Sequence, residues 1–355
     1  MRTRRLHPIL IAALTVTLLW NGLANSMDVA EPVQNTGDPE EPSTHPDLVR
    51  PDRLANVPHD VSPNDDDDAD ERPQNERNNL VAYNVRSGAE HVFQPRFAEN
   101  QDDPIRFRGY RGACLGDERE GDPNGRGDDG QGGGASVIGN DERVEINNTT
   151  AYPYRCIGKV YVWRHVPDPT DAADAAGSGA LIGPCHVLTA GHVLYNHDPA
   201  KGDVGWAHKV VFVPGEYTDN SGTDLWPYGS ANGVVLKSYT QWTVDEDPNH
   251  DWAFFTINKA LGDTIGWFGG SSASNAGNIR NLCGYPGDKP GDDQWFMADT
   301  ANCDTTNRSY YQIDTFNGQS GAPVWKYDGN DRWITAIHTN GAIVRASCPV
   351  GLTNA

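Results

Sequence analysis

Three residues of this chain could together break an acyl bond: His192, Asp251 and Ser320. Ser320 lies in DTFNGQSGAPVW (Asp314–Trp325), between glycines in a stretch that must turn tightly. A serine hydroxyl becomes a nucleophile only when a base takes its proton, and the base needs a third group to hold it. His192 follows the apolar run LIGPCHVL, which reads as a strand, and the turn Thr189-Ala190-Gly191. The ring therefore sits just past a strand end, where it can face a cleft. His186 lies inside the strand and is less free to do so. Asp251 opens DWAFFTI, a strand of buried character. A carboxylate there is partly desolvated and needs a hydrogen-bond donor to stay ionised; a histidine ring N–H is one.

Taken singly, each residue has a plain structural use: a packing histidine, a strand-capping aspartate, a turn serine. Their order carries the signal. His192, Asp251 and Ser320 stand about 60 and 70 residues apart in the chymotrypsin-type order of the triad. An α/β-hydrolase has its serine first, inside G-x-S-x-G. Here Ala322 fills the last place of that motif, and only His338 follows Ser320.

The elements that must position these groups are strands. After Ala135, short apolar runs alternate with Gly, Pro, Asn and Asp turns: CIGKVYVW, ALIGPCHVL, KVVFVPG, NGVVLKSY, DWAFFTI, RWITAIHT and GAIVRAS. Long amphipathic helix patterns are absent, so the expected fold class is all-β, a sandwich or a pair of barrels. Upstream the composition differs. Arg2, Arg4 and Arg5 precede the apolar run ILIAALTVTLLW (Ile9–Trp20), with Ala24 and Ser26 at small-residue positions, which reads as a secretory signal over residues 1–26. Residues 27–135 are acidic and of low complexity. They contain VSPNDDDDADERPQ (Val61–Gln74), which cannot bury enough surface to fold alone, and the linker-like GDPNGRGDDGQGGGA (Gly121–Ala135). Within them NNLVAYNVRSGAEHVF (Asn78–Phe93) shows some alternation and could be ordered. The aspartate run is expected to be solvated and not to hold calcium.

Export makes the six cysteines disulfide candidates, with Cys283 and Cys303 flanking a plausible hairpin. No Cys-x-x-Cys and no histidine spacing suggests zinc, and neither metal nor cofactor is expected. A net charge of −21 argues for solubility and against nucleic acid as a partner. No other run is long enough to cross a bilayer.

TAGH (Thr189–His192), DWAF (Asp251–Phe254) and GQSGAPV (Gly318–Val324) resemble the three signatures of trypsin-like serine proteases. SVIGNDER, NTTAYPYR, GYPGDKPG, DTFNGQSG and AIHTNG resemble the bacterial glutamyl endopeptidase branch. The resemblance covers most of 136–355. It implies a chymotrypsin-like fold of two antiparallel six-stranded β-barrels, at about 136–245 and 246–355, with the site in the cleft between them, and it makes residues 27–135 a propeptide. It implies His192 as general base, Asp251 as its orienting acid, Ser320 as nucleophile, and the N–H groups of Gly318 and Ser320 as the oxyanion hole. Asp314, six residues before Ser320, stands where trypsin carries the aspartate that selects Arg or Lys. In the glutamyl branch the primary pocket corresponds instead to Thr315 and to His338 with Thr339, whose donors suit a substrate carboxylate, His338 most strongly when protonated. Cleavage after Glu is favoured over the basic alternative. Filled triad positions argue against a protease-like binding protein without turnover.

The new α-amino group at Ser136 or Val137 adds positive charge in that branch, so an uncleaved chain is expected to be nearly inactive. Gly-Gly-Gly-Ala before Ser136 offers no Glu, so a separate activating protease is expected. The expected product is a secreted monomer acting on protein or peptide substrates. Two departures stand out. Many relatives carry a disulfide beside the catalytic histidine, where this chain has Gly177 and Val193. Relatives also continue past the HTNG region with a further strand and a helix, so the second barrel closes differently here or the sequence is incomplete.

Overall fold

The computed structural model describes residues 79–93, 137–168, 171–305, 307–341, 343–345 and 348–353. The signal-like segment, the aspartate run, the Gly121–Ala135 linker, Cys114 and Ser136 lie outside them. The frequent Gly, Pro and Asn turns leave little room for helix. The α-helices among the described residues are single turns of four, Gly191–Leu194, Thr240–Thr243 and Gly262–Ile265. None of the described helices is long and apolar enough to cross a membrane.

The first unit is a closed six-stranded barrel. Ala253–Ile257, His186–Thr189, Ala175–Gly183, Ile157–Trp163, Lys209–Pro214 and Ala231–Tyr239 pair in that order, and the last pairs again with the first. Each of the six strands pairs on both sides, though Lys209–Pro214 meets Ala231–Tyr239 only at Ala231 and Asn232. Val160, Leu181, Val187, Phe212, Leu236 and Phe255 fill its interior, each fully buried. ALIGPCHVL is not one strand but two, because Gly183 pairs with His186 across a tight turn at Pro184 and Cys185. The first barrel also reaches beyond the expected boundary at residue 245, since Ala253–Ile257 is the strand that closes it.

The second unit is a seven-stranded sheet ordered Gly269–Gly270, Asp331–Ile337, Pro323–Asp328, Ile279–Gly284, Trp295–Asp304 and Ser309–Tyr311, with Val144–Glu145 added on Trp295–Asp304. That strand precedes the first barrel in sequence, so the chain crosses from one unit to the other and back. Buried polar bonds join the units: Gln294 Nε2 donates to the carbonyls of Tyr154 and Ile157, each at 3.0 Å.

Of the segment Asn78–Phe93, residues 79–93 fold onto the first barrel. Leu80–Asn84 and Ala89–Phe93 form a hairpin, and its first strand pairs antiparallel with Ala231–Tyr239.

Cys283 and Cys303 do not pair. Cys283 is a buried thiol outside any disulfide, whereas Cys303 and Cys185 each take part in one. The register explains it: Cys283 faces Phe296 across the strand pair, several residues before Cys303, which faces Tyr310. Cys156 is a buried thiol outside any disulfide, its Sγ donating to Ile265 O at 3.2 Å.

Glu216 is wholly buried, its Oε1 accepting from Tyr161 Oη and Trp226 Nε1, both at 2.8 Å. Burial, with Asp292 nearby, pushes its pKa up to about 8. A carboxyl whose folded pKa exceeds its unfolded value of 4.5 binds more protons in the folded state between those values. Stability is therefore lost as pH rises through that window, with a limiting slope of about 1.4 kcal/mol per pH unit. Glu216→Gln should flatten the fall in Tm between pH 5 and pH 8, read by thermal melts; an unchanged slope would count against a protonated Glu216.

Candidate active site

Gly191–Leu194 begins where the His186–Thr189 strand ends and carries His192 to the cleft. Asp251 stands just before Ala253–Ile257, which pairs with that same strand. The two residues therefore meet across a strand pair. Asp251 is 4% exposed; its Oδ1 accepts the backbone N–H of His192 at 2.8 Å, and its Oδ2 bonds ring Nδ1 at 2.7 Å. Two bonds from one carboxylate fix both the backbone and the ring of His192. A Cβ at Gly191 would lie 2.8 Å from the Trp242 ring and 2.9 Å from Asp251 Oδ1, so only glycine lets the acid approach this closely. Trp242 sets its ring edge-on to His192 at 6.5 Å. Gly177 and Val193 are spatial neighbours, a Cβ at Gly177 falling 2.8 Å from Val193 Cγ2. The place of the absent staple is thus filled by packing.

Ser320 lines the same cleft as His192 and Asp251, together with Asn317, Gly318 and Thr339. No hydrogen bond within the described residues joins its hydroxyl to the ring. The loop around it is held from both units. Ser178, in the Ala175–Gly183 strand, donates its N–H to Ser320 O at 2.7 Å and its hydroxyl to Gly318 O at 2.8 Å. Tyr285 N–H returns to that hydroxyl at 2.9 Å. With the carbonyls of 318 and 320 pinned to the first barrel, the amides alternate in use. Gln319 N–H donates to Phe316 O at 3.0 Å and Gly321 N–H to His338 O at 2.7 Å, while those of Gly318 and Ser320 have no acceptor among the described residues. Gly318 has φ +95°, and a Cβ there would fall on the Tyr285 carbonyl oxygen. Ser178 was not legible as a site residue; its only sequence mark is a serine between two glycines.

The pocket residues differ from expectation in two respects. Asp314 is fully buried, its oxygens accepting the backbone N–H groups of Ile138 at 2.8 Å and Glu142 at 2.9 Å. Its carboxylate clamps the segment that follows residue 136. His338 is 4% exposed, and Nδ1 bonds Tyr311 Oη at 2.9 Å. Burial, aided by nearby His192, pushes its pKa down to about 3, so the ring is neutral and the stronger, protonated donor is disfavoured. Thr315 is wholly buried with its hydroxyl unpartnered. Thr339 lines the cleft beside Asn340. No group of three or more His, Cys, Asp or Glu side chains among the described residues could hold a metal ion.

A family model described as Trypsin matches residues 145–345. A Bacillus subtilis protein named extracellular metalloprotease is 33% identical over 211 residues, 58% of this chain and 63% of its own length. A glutamyl endopeptidase of Bacillus licheniformis is 33% identical over 213 residues, 58% of this chain and 61% of its own. The chain thus spans less than two thirds of the length of these relatives. A solved structure of Glu endopeptidase in complex with MPD aligns at TM-score 0.49 and 27% identity, over 62% of this chain and 93% of that one.

Proposed function

Because this chain belongs to the trypsin family of serine proteases, we propose that it is a secreted endopeptidase that cleaves after acidic residues, Glu before Asp, through an acyl-enzyme at Ser320. The carrying observation is one cleft lined by Asp251-fixed His192, Gly318 and Ser320, with the N–H groups of 318 and 320 left without acceptors among the described residues.

In this mechanism Asp251 keeps a proton on His192 Nδ1, which leaves Nε2 as the base. As Ser320 Oγ attacks the scissile carbonyl, Nε2 takes its proton and Asp251 stabilises the imidazolium. The developing oxyanion takes the N–H groups of Gly318 and Ser320. His192 then gives the proton to the leaving amine. Water, deprotonated by the same ring, releases the acyl group by the reverse path.

The acidic preference is supported by donors without partners. A Tyr311 hydroxyl donating to Nδ1 leaves His338 with its proton on Nε2, a neutral donor for a carboxylate. The buried Thr315 hydroxyl supplies a second. The basic alternative relies on Asp314, whose oxygens are already taken by Ile138 and Glu142. Relatives named glutamyl endopeptidase and extracellular metalloprotease agree with the acidic preference and with export. The zymogen reading stands beside this: cleavage of the bond before Ser136 by another protease frees an amine there. A peptide panel varying only the residue before the scissile bond tests the specificity. kcat/KM for Glu should exceed that for Arg at least a hundredfold; a preference for Arg would overturn it.

A further inference from the structure

The first barrel's Ala231–Tyr239 strand is used unequally along its length. On one side Gly233–Ser238 pairs with Ala253–Ile257. On the other, only Ala231 and Asn232 pair with Lys209–Pro214. From Val235 to Tyr239 that second edge would present unpaired N–H and C=O groups, the usual template for an added strand. It is occupied. Leu80–Asn84 pairs with Val235–Tyr239 residue for residue, Val85 N–H donates to Val234 O at 3.1 Å, and Thr240 N–H donates to Asn79 O at 2.9 Å.

Side chains close the contact as tightly as the ladder does. Leu80 is 1% exposed and Val81 4%, core values in a segment whose outer strand Ala89–Phe93 is exposed throughout. Tyr83 stacks on Trp206 at 5.8 Å with planes 6° apart, and Trp206 Nε1 donates to Glu90 Oε1 at 2.6 Å. Leu80 packs with Tyr239 and Trp252, and Trp252 is the neighbour of Asp251. A two-stranded hairpin is marginal alone in water, so this one owes its order to the barrel.

We infer that the strand pair 79–93 is a standing part of the first barrel and stays bound to the Val235–Tyr239 edge after the chain is cut between it and residue 137. Sequence composition assigns it to the discarded region; the contacts assign it to the folded unit. Its place behind Tyr239 and Trp252 makes it a brace for the loop that carries Asp251. The inference rests on the proposed function only in treating that loop as catalytic.

The test needs no turnover. The full chain carrying Ser320→Ala receives the recognition sequence of a site-specific protease within 121–135. It is cut, reduced to remove any disulfide tether, and run on size exclusion under native conditions. The fragment bearing 79–93 should co-elute with the remainder and separate only in denaturant. The same protein with Leu80→Asp should release it natively after the cut. Native separation of the unsubstituted fragment overturns the inference, as does co-elution that persists with Leu80→Asp. Because neither readout depends on hydrolysis, failure of the protease assignment would leave the result interpretable.

Discussion

Asp251→Asn is expected to lower kcat by about 10⁴ at neutral pH while the protein stays folded. The geometry says why a near-isosteric change costs so much. Oδ1 accepts the backbone N–H of His192 and Oδ2 faces its Nδ1. In the amide, the oxygen must keep the backbone N–H, since an NH₂ there would set two donors against each other. The NH₂ is thereby turned onto Nδ1, which must become an acceptor. The ring proton moves to Nε2, and the nitrogen that should take the Ser320 proton already carries one. Steady-state kinetics on the best acidic peptide, with thermal melts to confirm folding, measure this. A loss below tenfold would mean that Asp251 does not set the tautomer.

Gly318→Ala is expected to lower kcat by about 10² to 10³ with KM little changed. At φ +95° an L-residue is strained, and the added methyl is directed onto the Tyr285 carbonyl. The peptide must rotate to relieve it, and rotation re-aims the 318 N–H, one of the two proposed oxyanion donors. Those amides matter only once the carbonyl oxygen has become an oxyanion, so the loss falls on kcat. Ser178→Ala should act in the same direction more weakly, by freeing Gly318 O while its own N–H still holds Ser320 O. A KM effect alone in Gly318→Ala would assign the loop to substrate binding.

Much of the scaffold was legible because strands announce themselves by short apolar runs between turn residues. Ile157–Trp163, Lys209–Pro214, Ala231–Tyr239 and Ala253–Ile257 lie where such runs lie. The run ALIGPCHVL misleads because its turn is only two residues long and its cysteine is apolar in character, although Pro184, which cannot serve an internal ladder, was the available signal. The pairing of His192 with Asp251 was readable from order and local setting, each sitting at a strand end. The state of the pocket was not. Whether His338 is charged depends on burial and on His192 nearby; its partner Tyr311 is 27 positions away, and the partners of Asp314 lie 172 and 176 positions away. Ser178 is a similar case, acting on Gly318 across 140 positions. Types and spacing disclose a group that reacts; they do not disclose what packs around it.

The central claim is that His192 makes the Ser320 hydroxyl nucleophilic. An active-site-directed fluorophosphonate, followed by mass spectrometry of the labelled peptide, tests it most directly. One adduct at Ser320, lost in a folded His192→Ala variant, is the predicted result. An unlabelled Ser320 in the trimmed protein, or labelling that proceeds equally well without the imidazole, would contradict it.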